Sequence, residues 1–582
     1  MHIHLHVEFA SPFLLFPFSF FFWGNLELVD TTSSKEMQPK RILVAWVCAI
    51  FTILIVSKAT TASDTNATST AATAVDDICK TTEHPDACVS ALASAAGNPT
   101  ASNQDYFDVS VQFALKRVES ARAMAYNFSN AGQTGSSSQP SGMDDCLELL
   151  DISLKQLNDV IKPKKGTNQE DISTWLSASL TNQVTCSESL QMVPSSQSRD
   201  AMDVQVQSLA KYISTALALH VRLKGASSDT STSQTGNRRL LSDNLPAWLS
   251  ADDRRLLLAS PADIQADAVV ALDGTGTHTS ITEAIAFVTS RFATDADGGG
   301  SSSRSTIYVK SGTYSEILRI TNKQTNVMLM GDGKGKSIVV GSRSAGDGYS
   351  TYESATVAAL GSGFMAKGLT IINKAGPAKH QAVALRVGSD KAVVYQCSIQ
   401  GYQDTLYVHS NRQFIAETDI YGTVDFIFGN AVAVIQNCYI QPLKPSGGQH
   451  DTITAQGRTD PNQNTGISIH KCRIMGASNL GGTAVYLGRP WQKYSRTVVM
   501  MTYLDDSIRP EGWDKWSGNF ALSTLYYGEY GNTGPGSSIS GRVKWGGVHS
   551  SMSTNEASKF TVGNFIFGDE WLPSGVSYTS GL

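Results

Sequence analysis

One seven-residue frame recurs six times in the C-terminal half of the chain and leaves it few folds to adopt. It reads apolar, apolar, two variable positions, a small residue, one variable position, apolar. The copies are Phe364 to Thr370, Val393 to Ile399, Phe414 to Ile420, Val434 to Ile440, Ser468 to Ile474 and Val498 to Leu504. Thr370 and Ser468 are the two departures from it. The small residues follow one another at 29, 21, 20, 34 and 30 residues. A fixed strand frame with loops of uneven length suits a parallel β-helix, whose rungs stack while its loops vary. A sandwich of short alternating strands has no need to keep one frame across six segments.

The frame also aligns two carboxylates. Asp404 follows Cys397 by seven residues, and Asp425 follows Thr418 by seven. In stacked coils that shared offset sets one above the other, at the roughly 4.8 Å spacing of neighbouring strands. Two carboxylates so close do not both ionise easily, so one is expected to hold a proton near neutral pH. A charged carboxylate beside a protonated one is a nucleophile beside a general acid. No Gly-x-Ser-x-Gly elbow occurs, so a serine hydrolase of that type is unsupported. No cluster has metal-ligand spacing, and neither metal nor cofactor is expected.

The chain has 582 residues, enough for two or three domains, and its net charge of −5 gives no sign of a nucleic-acid partner. Residues 1–62 read as an N-terminal extension followed by a signal peptide or signal anchor. The run Ile42 to Val56 has Lys40-Arg41 before it and Thr61-Ala62-Ser63 after it. The expected location is therefore extracellular. Asn66 and Asn127 head glycosylation triplets.

Residues 71–226 show helical periodicity, as in the stripe Leu147, Leu150, Leu154, Leu157 and Ile161, and predict a four-helix bundle. In an oxidising compartment its four cysteines can form two bridges, and the short loop favours Cys79–Cys88, leaving Cys146–Cys186. Residues 227–260 then form a Ser/Thr-rich linker. It carries Arg238-Arg239-Leu240-Leu241 and Arg254-Arg255-Leu256-Leu257, two copies of a basic pair that invite cleavage by a subtilisin-like processing protease.

The blocks in residues 261–582 are specific enough to place. Gly401-Tyr402-Gln403-Asp404-Thr405-Leu406-Tyr407, Gly422-Thr423-Val424-Asp425-Phe426-Ile427-Phe428-Gly429 and Leu487-Gly488-Arg489-Pro490-Trp491 resemble the signature blocks of plant pectin methylesterases. The front half, with its four-cysteine pattern, resembles the pectin methylesterase inhibitor domain. The resemblance implies an all-β right-handed parallel β-helix preceded by an all-α four-helix bundle. It implies hydrolysis of methyl-esterified homogalacturonan in the cell wall, with the bundle as an intramolecular inhibitor-like partner. Asp425 would be the nucleophile, Asp404 the proton donor and Gln403 the transition-state stabiliser. Thr356, Gln381, Arg489 and Trp491 would bind substrate, with Arg489 keeping Asp425 ionised. Phe426 and Tyr407 are further candidates for the groove. His380 and His409 have no evident partner in the sequence and read as structural.

Thr418 stands where the family usually has a cysteine bonded to the counterpart of Cys438, so that bridge is absent. The Cys472–Leu487 loop is shorter than usual, and Asp295 to Arg304 reads as an enlarged surface loop. Two other functions compete. A catalytically silent pectin-binding or inhibitor protein would not need both aspartates. The other is a β-helical pectate lyase or polygalacturonase, of which a lyase would need a calcium-binding carboxylate cluster that the sequence lacks.

Overall fold

The computed structural model describes residues 74–95, 98, 100–132, 142–192, 194–228, 265–290, 304–573 and 575–582. The N-terminal extension and signal, Asn66, Arg238, Arg239, Arg254, Arg255 and nearly all of the Asp295–Arg304 loop lie outside them.

The N-terminal part is helical. A short helix α1 (Pro85–Leu92) precedes four long ones, α2 (Asn103–Gly132), α3 (Gly142–Ile161), α4 (Gln169–Gln191) and α5 (Gln197–Ser228). Consecutive long helices pack together and α5 returns to α2, closing an up-and-down bundle. Helix α3 buries Met143, Cys146, Leu149, Leu150, Leu157 and Val160, a stripe at helical spacing. Asn168 caps α4 in a capping box with Asp171. The bridges are Cys79–Cys88 and Cys146–Cys186, the second tying α3 to α4.

The C-terminal part winds through three parallel sheets of eleven, seven and eight strands. The seven-stranded sheet positions the site. Its strands are β1 (Leu318–Ile320), β2 (Val357–Ala359), β3 (Leu385–Val387), β4 (Leu406–Val408), β5 (Ile427–Gly429), β6 (Asp451–Gln456) and β7 (Val485–Gly488), stacked in that order. Each is one rung. Leu385, Leu406, Ile427, Ile453 and Val485 point into a continuous apolar core. The residues between them point outwards.

The recurring frame has a local cause. In each rung the residue before the small position turns with positive φ: Gln396 at 54°, Glu417 at 49°, Asn437 at 54°, Lys471 at 55° and Met501 at 51°. The next side chain then enters the tight interior and accepts the backbone N–H of the preceding rung. Cys397 donates to Thr418 Oγ1 at 3.2 Å, Thr418 to Cys438 Sγ at 3.4 Å, Cys438 to Cys472 Sγ at 3.4 Å and Cys472 to Thr502 Oγ1 at 3.2 Å. A small acceptor suits that place.

The first copy of the frame needs a correction of one residue. Val393 pairs with Met365, not Phe364, and Ser398 pairs with Thr370. Leu369 therefore stands in the small-residue column, and Gly368, at φ 64°, makes the left-handed turn before it.

Candidate active site

Leu406 pairs with Ile427 and Tyr407 with Phe428, an offset of 21 that also separates Asp404 from Asp425. The two aspartates occupy equivalent left-handed turns, at φ 63° and 54°, a conformation that Asp tolerates better than most residues. The Asp404 N–H donates to the Val424 carbonyl at 3.1 Å, so one turn rests on the other. Both side chains are nearly buried, at 7% and 5% exposure.

Their surroundings differ. Arg489 grips Asp425 with two parallel hydrogen bonds, Nε to Oδ1 at 2.8 Å and Nη2 to Oδ2 at 2.6 Å. Thr452 adds its hydroxyl to Oδ1 at 2.5 Å and accepts the Asp425 N–H at 3.0 Å. Asp404 has no such clamp among the described residues. Burial first, and the charge of Asp425 second, push its carboxyl well above the usual range. One carboxylate is thus pinned against a guanidinium, and burial favours the protonated form of its neighbour.

Arg489 reaches Asp425 from two rungs away. Its N–H donates to the Thr454 carbonyl at 3.0 Å, directly after Gly488. A Cβ on Gly488 would lie 2.1 Å from Thr454 Oγ1, so glycine permits this close approach. The guanidinium also lies 4.5 Å from the centre of the Trp516 ring.

These groups open on a cleft of about 470 Å3, lined by Gln381, Gln403, Tyr407, Phe428, Trp491 and Trp516 beside the aspartates. Gln381 and Gln403 sit on successive rungs, and Gln403 accepts the Ala382 N–H at 3.2 Å. Tyr407 stacks on Phe428 at 4.2 Å, and Trp491 meets Phe428 edge-on at 5.9 Å. The sequence reading therefore assembled Asp404, Asp425, Gln381, Gln403, Arg489, Trp491 and Tyr407 in one place.

Two expected groove residues are elsewhere. Thr356 is fully buried, and its hydroxyl donates to the Ile372 carbonyl at 3.0 Å. Phe426 belongs to the β-helix core: it lies in the turn just before β5, so the two-residue alternation that would put it on the face of Phe428 does not hold there. His409 does have a partner, namely Thr185 of the bundle at 3.0 Å, and burial pushes its pKa down to about 3. Thr452 and Trp516 were missed. Thr452 follows Asp425 by 27 residues, across a loop whose length hides the register.

The bundle closes the cleft. Thr185, Glu188, Ser189, Gln191 and Met192, at the end of α4, line it opposite Asp404. Burial pushes Glu188 up to about 8, and Gln492 donates to its carboxyl at 3.3 Å. The contact extends well beyond the cleft. Arg412 bonds Asp390 at 2.6 Å and Asp171 of α4 at 2.7 Å. Asn464 donates to Thr174, Gln463 to the Ser177 carbonyl and Asn430 to Thr181. This explains why α4 buries so many uncharged polar residues.

The family profile "Pectinesterase" matches residues 267–569, and "Plant invertase/pectin methylesterase inhibitor" matches residues 73–219. The chain is 51% identical over 495 residues to "Probable pectinesterase/pectinesterase inhibitor 35" of Arabidopsis thaliana, covering 84% of this chain and 90% of that one. It is 46% identical over 485 residues to "Pectinesterase 2" of Citrus sinensis, covering 82% and 89%. Among solved structures, "Pectin methylesterase from Carrot" superposes with a TM-score of 0.52 at 50% identity, covering 55% of this chain and 99% of that one.

Proposed function

This chain belongs to the pectinesterase family and carries an inhibitor-family segment ahead of its esterase half; from that premise we infer how its cleft works and how it is kept shut. The protein is a carboxylic ester hydrolase that removes methyl groups from homogalacturonan pectin, leaving carboxylates and releasing methanol. The observation that carries this reading is the unequal pair, Asp425 clamped by Arg489 beside the unclamped, protonated Asp404.

Asp425 attacks the ester carbonyl carbon. Arg489 and Thr452 fix the direction of its lone pairs. Negative charge collects on the carbonyl oxygen, and the amides of Gln403 and Gln381 donate to it without bringing a competing charge. The C–O bond to the methoxy group breaks as Asp404 gives up its proton, and methanol leaves. The galacturonyl group is then bound to Asp425 as an anhydride. Asp404, now a carboxylate, takes a proton from water, whose oxygen attacks the acyl carbon. Asp425 departs as a carboxylate and Asp404 is protonated again. Trp491, Phe428 and Tyr407 offer apolar faces to the sugar rings.

The end of α4 occupies the space a pectin chain needs, so the closed form is latent. Cleavage at Arg238-Arg239 or Arg254-Arg255 by a subtilisin-like protease, on the way to the cell wall, would free the cleft. A silent pectin-binding role is disfavoured by the complete catalytic set. The test is methanol release from esterified pectin before and after proteolysis of the linker. Activity that rises on cutting supports the reading; a cut, folded protein that releases no methanol overturns it.

A further inference from the structure

Arg386 is the one fully buried arginine whose guanidinium nitrogens all lack a hydrogen-bond partner among the described residues. The other buried arginines are differently served. Arg412 holds Asp390 with two hydrogen bonds, and Arg542 holds Glu529 in the same way. A buried charge left without directed partners is costly, so its place needs a reason.

That place is the cleft wall. Arg386 pairs with Tyr407, Tyr407 with Phe428 and Phe428 with Ala455 across β3, β4, β5 and β6. The last three line the cleft, and Arg386 continues their outward row by one rung. Its guanidinium carbon lies over the Tyr352 ring, 3.3 Å from the centre, and Tyr352 also lines the cleft. The lid over Arg386 comes from the bundle. Glu148 of α3 brings a carboxylate oxygen to 3.8 Å from it and accepts the Tyr352 hydroxyl at 2.9 Å. Remove the bundle and a pre-positioned cation with free donors faces the groove, without the carboxylate that had faced it.

We propose that Arg386 is a subsite for the free carboxylate of an already de-esterified galacturonate, two rungs from the nucleophile, and that Glu148 occupies this subsite in the closed form. Two rungs are roughly 10 Å along the stack, so the sugar it reads is not the one being hydrolysed. The idea rests on the pectinesterase reading, since it concerns the same polymer. A methyl ester is a neutral acceptor, whereas a carboxylate can take both arms of a guanidinium.

The test uses residues 265–582. The solved carrot chain is matched over 99% of its length by 55% of this one, so a half of this kind folds without a bundle. Fully and half-esterified oligogalacturonans of one length are compared as substrates. Wild type should favour the half-esterified one by about tenfold in kcat/KM, carried by KM, as expected for a charge-assisted pair. Arg386→Gln should bring that ratio to about one while leaving kcat on the fully esterified substrate unchanged, and Arg386→Lys should keep part of it. Calorimetry with fully de-esterified oligogalacturonate should show about tenfold weaker binding to Arg386→Gln. A preference that survives in Arg386→Gln, or a loss equal on both substrates, would overturn the proposal. If wild type released no methanol at all, the esterase reading would fall instead, and the calorimetric comparison alone would decide the subsite.

Discussion

Arg489 and Asp425, 64 residues apart in the chain, meet through two parallel hydrogen bonds of 2.8 and 2.6 Å. Asp404, one rung below, shares the backbone conformation of Asp425 but among the described residues has no cation bonded to it. The division of labour between the carboxyls thus comes from what each touches, not from the turn each sits in.

Replacing either carboxyl by its amide should preserve the fold, because shape is kept. Asp404→Asn cannot donate and then retrieve a proton, and kcat should fall by about 10²–10⁴-fold. Asp425→Asn removes the nucleophile and should cost still more, on the order of 10⁴-fold or beyond. Methanol release with matched melting curves checks both, and near-wild-type turnover in either would refute the mechanism.

Thr452 should matter although it never touches substrate. Thr452→Val keeps the volume but leaves Asp425 without its third partner and orphans the Asp425 N–H. A hydrogen bond to a charged group is worth about 1.5–3 kcal/mol, so kcat should drop about ten- to a hundredfold with KM little changed. Thr452→Ser should recover most of it.

Closure by the bundle should weaken as pH rises above 6.5. Glu188 is pushed from 4.5 to about 8 by burial in the closed form, and Asp145, facing Ser350 and Glu353, is raised in the same direction by burial. The closed state thus keeps protons that the open state releases once the pH exceeds 4.5. Above pH 6.5 closure loosens as the pH climbs towards about 8 and changes little beyond it; below 6.5 the opposing cost of keeping His409 neutral in the closed form offsets the gain from Glu188. Each such acid contributes up to about tenfold per pH unit across the window. Inhibition of the cut enzyme by added bundle, titrated against pH, measures this. Glu188→Gln should flatten the profile, and inhibition that strengthens with pH above 6.5 would contradict it.

Thr418→Cys should form a disulfide with Cys438. The Thr418 N–H already points at the Cys438 sulfur at 3.4 Å, and Thr418 is fully buried. Closing a loop of this size should add about 3 kcal/mol under oxidising conditions. Titration should find two free buried thiols in the esterase half in place of three. An unchanged melting temperature with all thiols free would count against the shared register.

The two aspartates were legible because a stacked fold turns equal offsets into contact, and the frame around Cys397 and Thr418 kept its register. The first copy slipped by one residue because glycine is both small and the easiest residue to place in a left-handed turn. Gly368 therefore passed for the column that Leu369 fills. Thr356 and Phe426 were misplaced because each lies in the turn just before its strand, β2 and β5, where the two-residue alternation of a strand does not hold. Thr452, Trp516 and Arg386 were out of reach of sequence reasoning, because their contacts cross loops of irregular length. The seat of the bundle left one trace, an α4 rich in Ser, Thr, Asn and Gln on faces that no bundle core would cover.

Both disulfides close inside the bundle, so among the described residues no covalent bond other than the chain itself joins it to the esterase half. While that chain is whole, the cleft faces its blocker at an effective concentration set by the tether, on the order of millimolar, whatever the amount of protein present. One cut makes the encounter bimolecular. From then on dilution alone can awaken the enzyme, and crowding the two pieces together can silence it again.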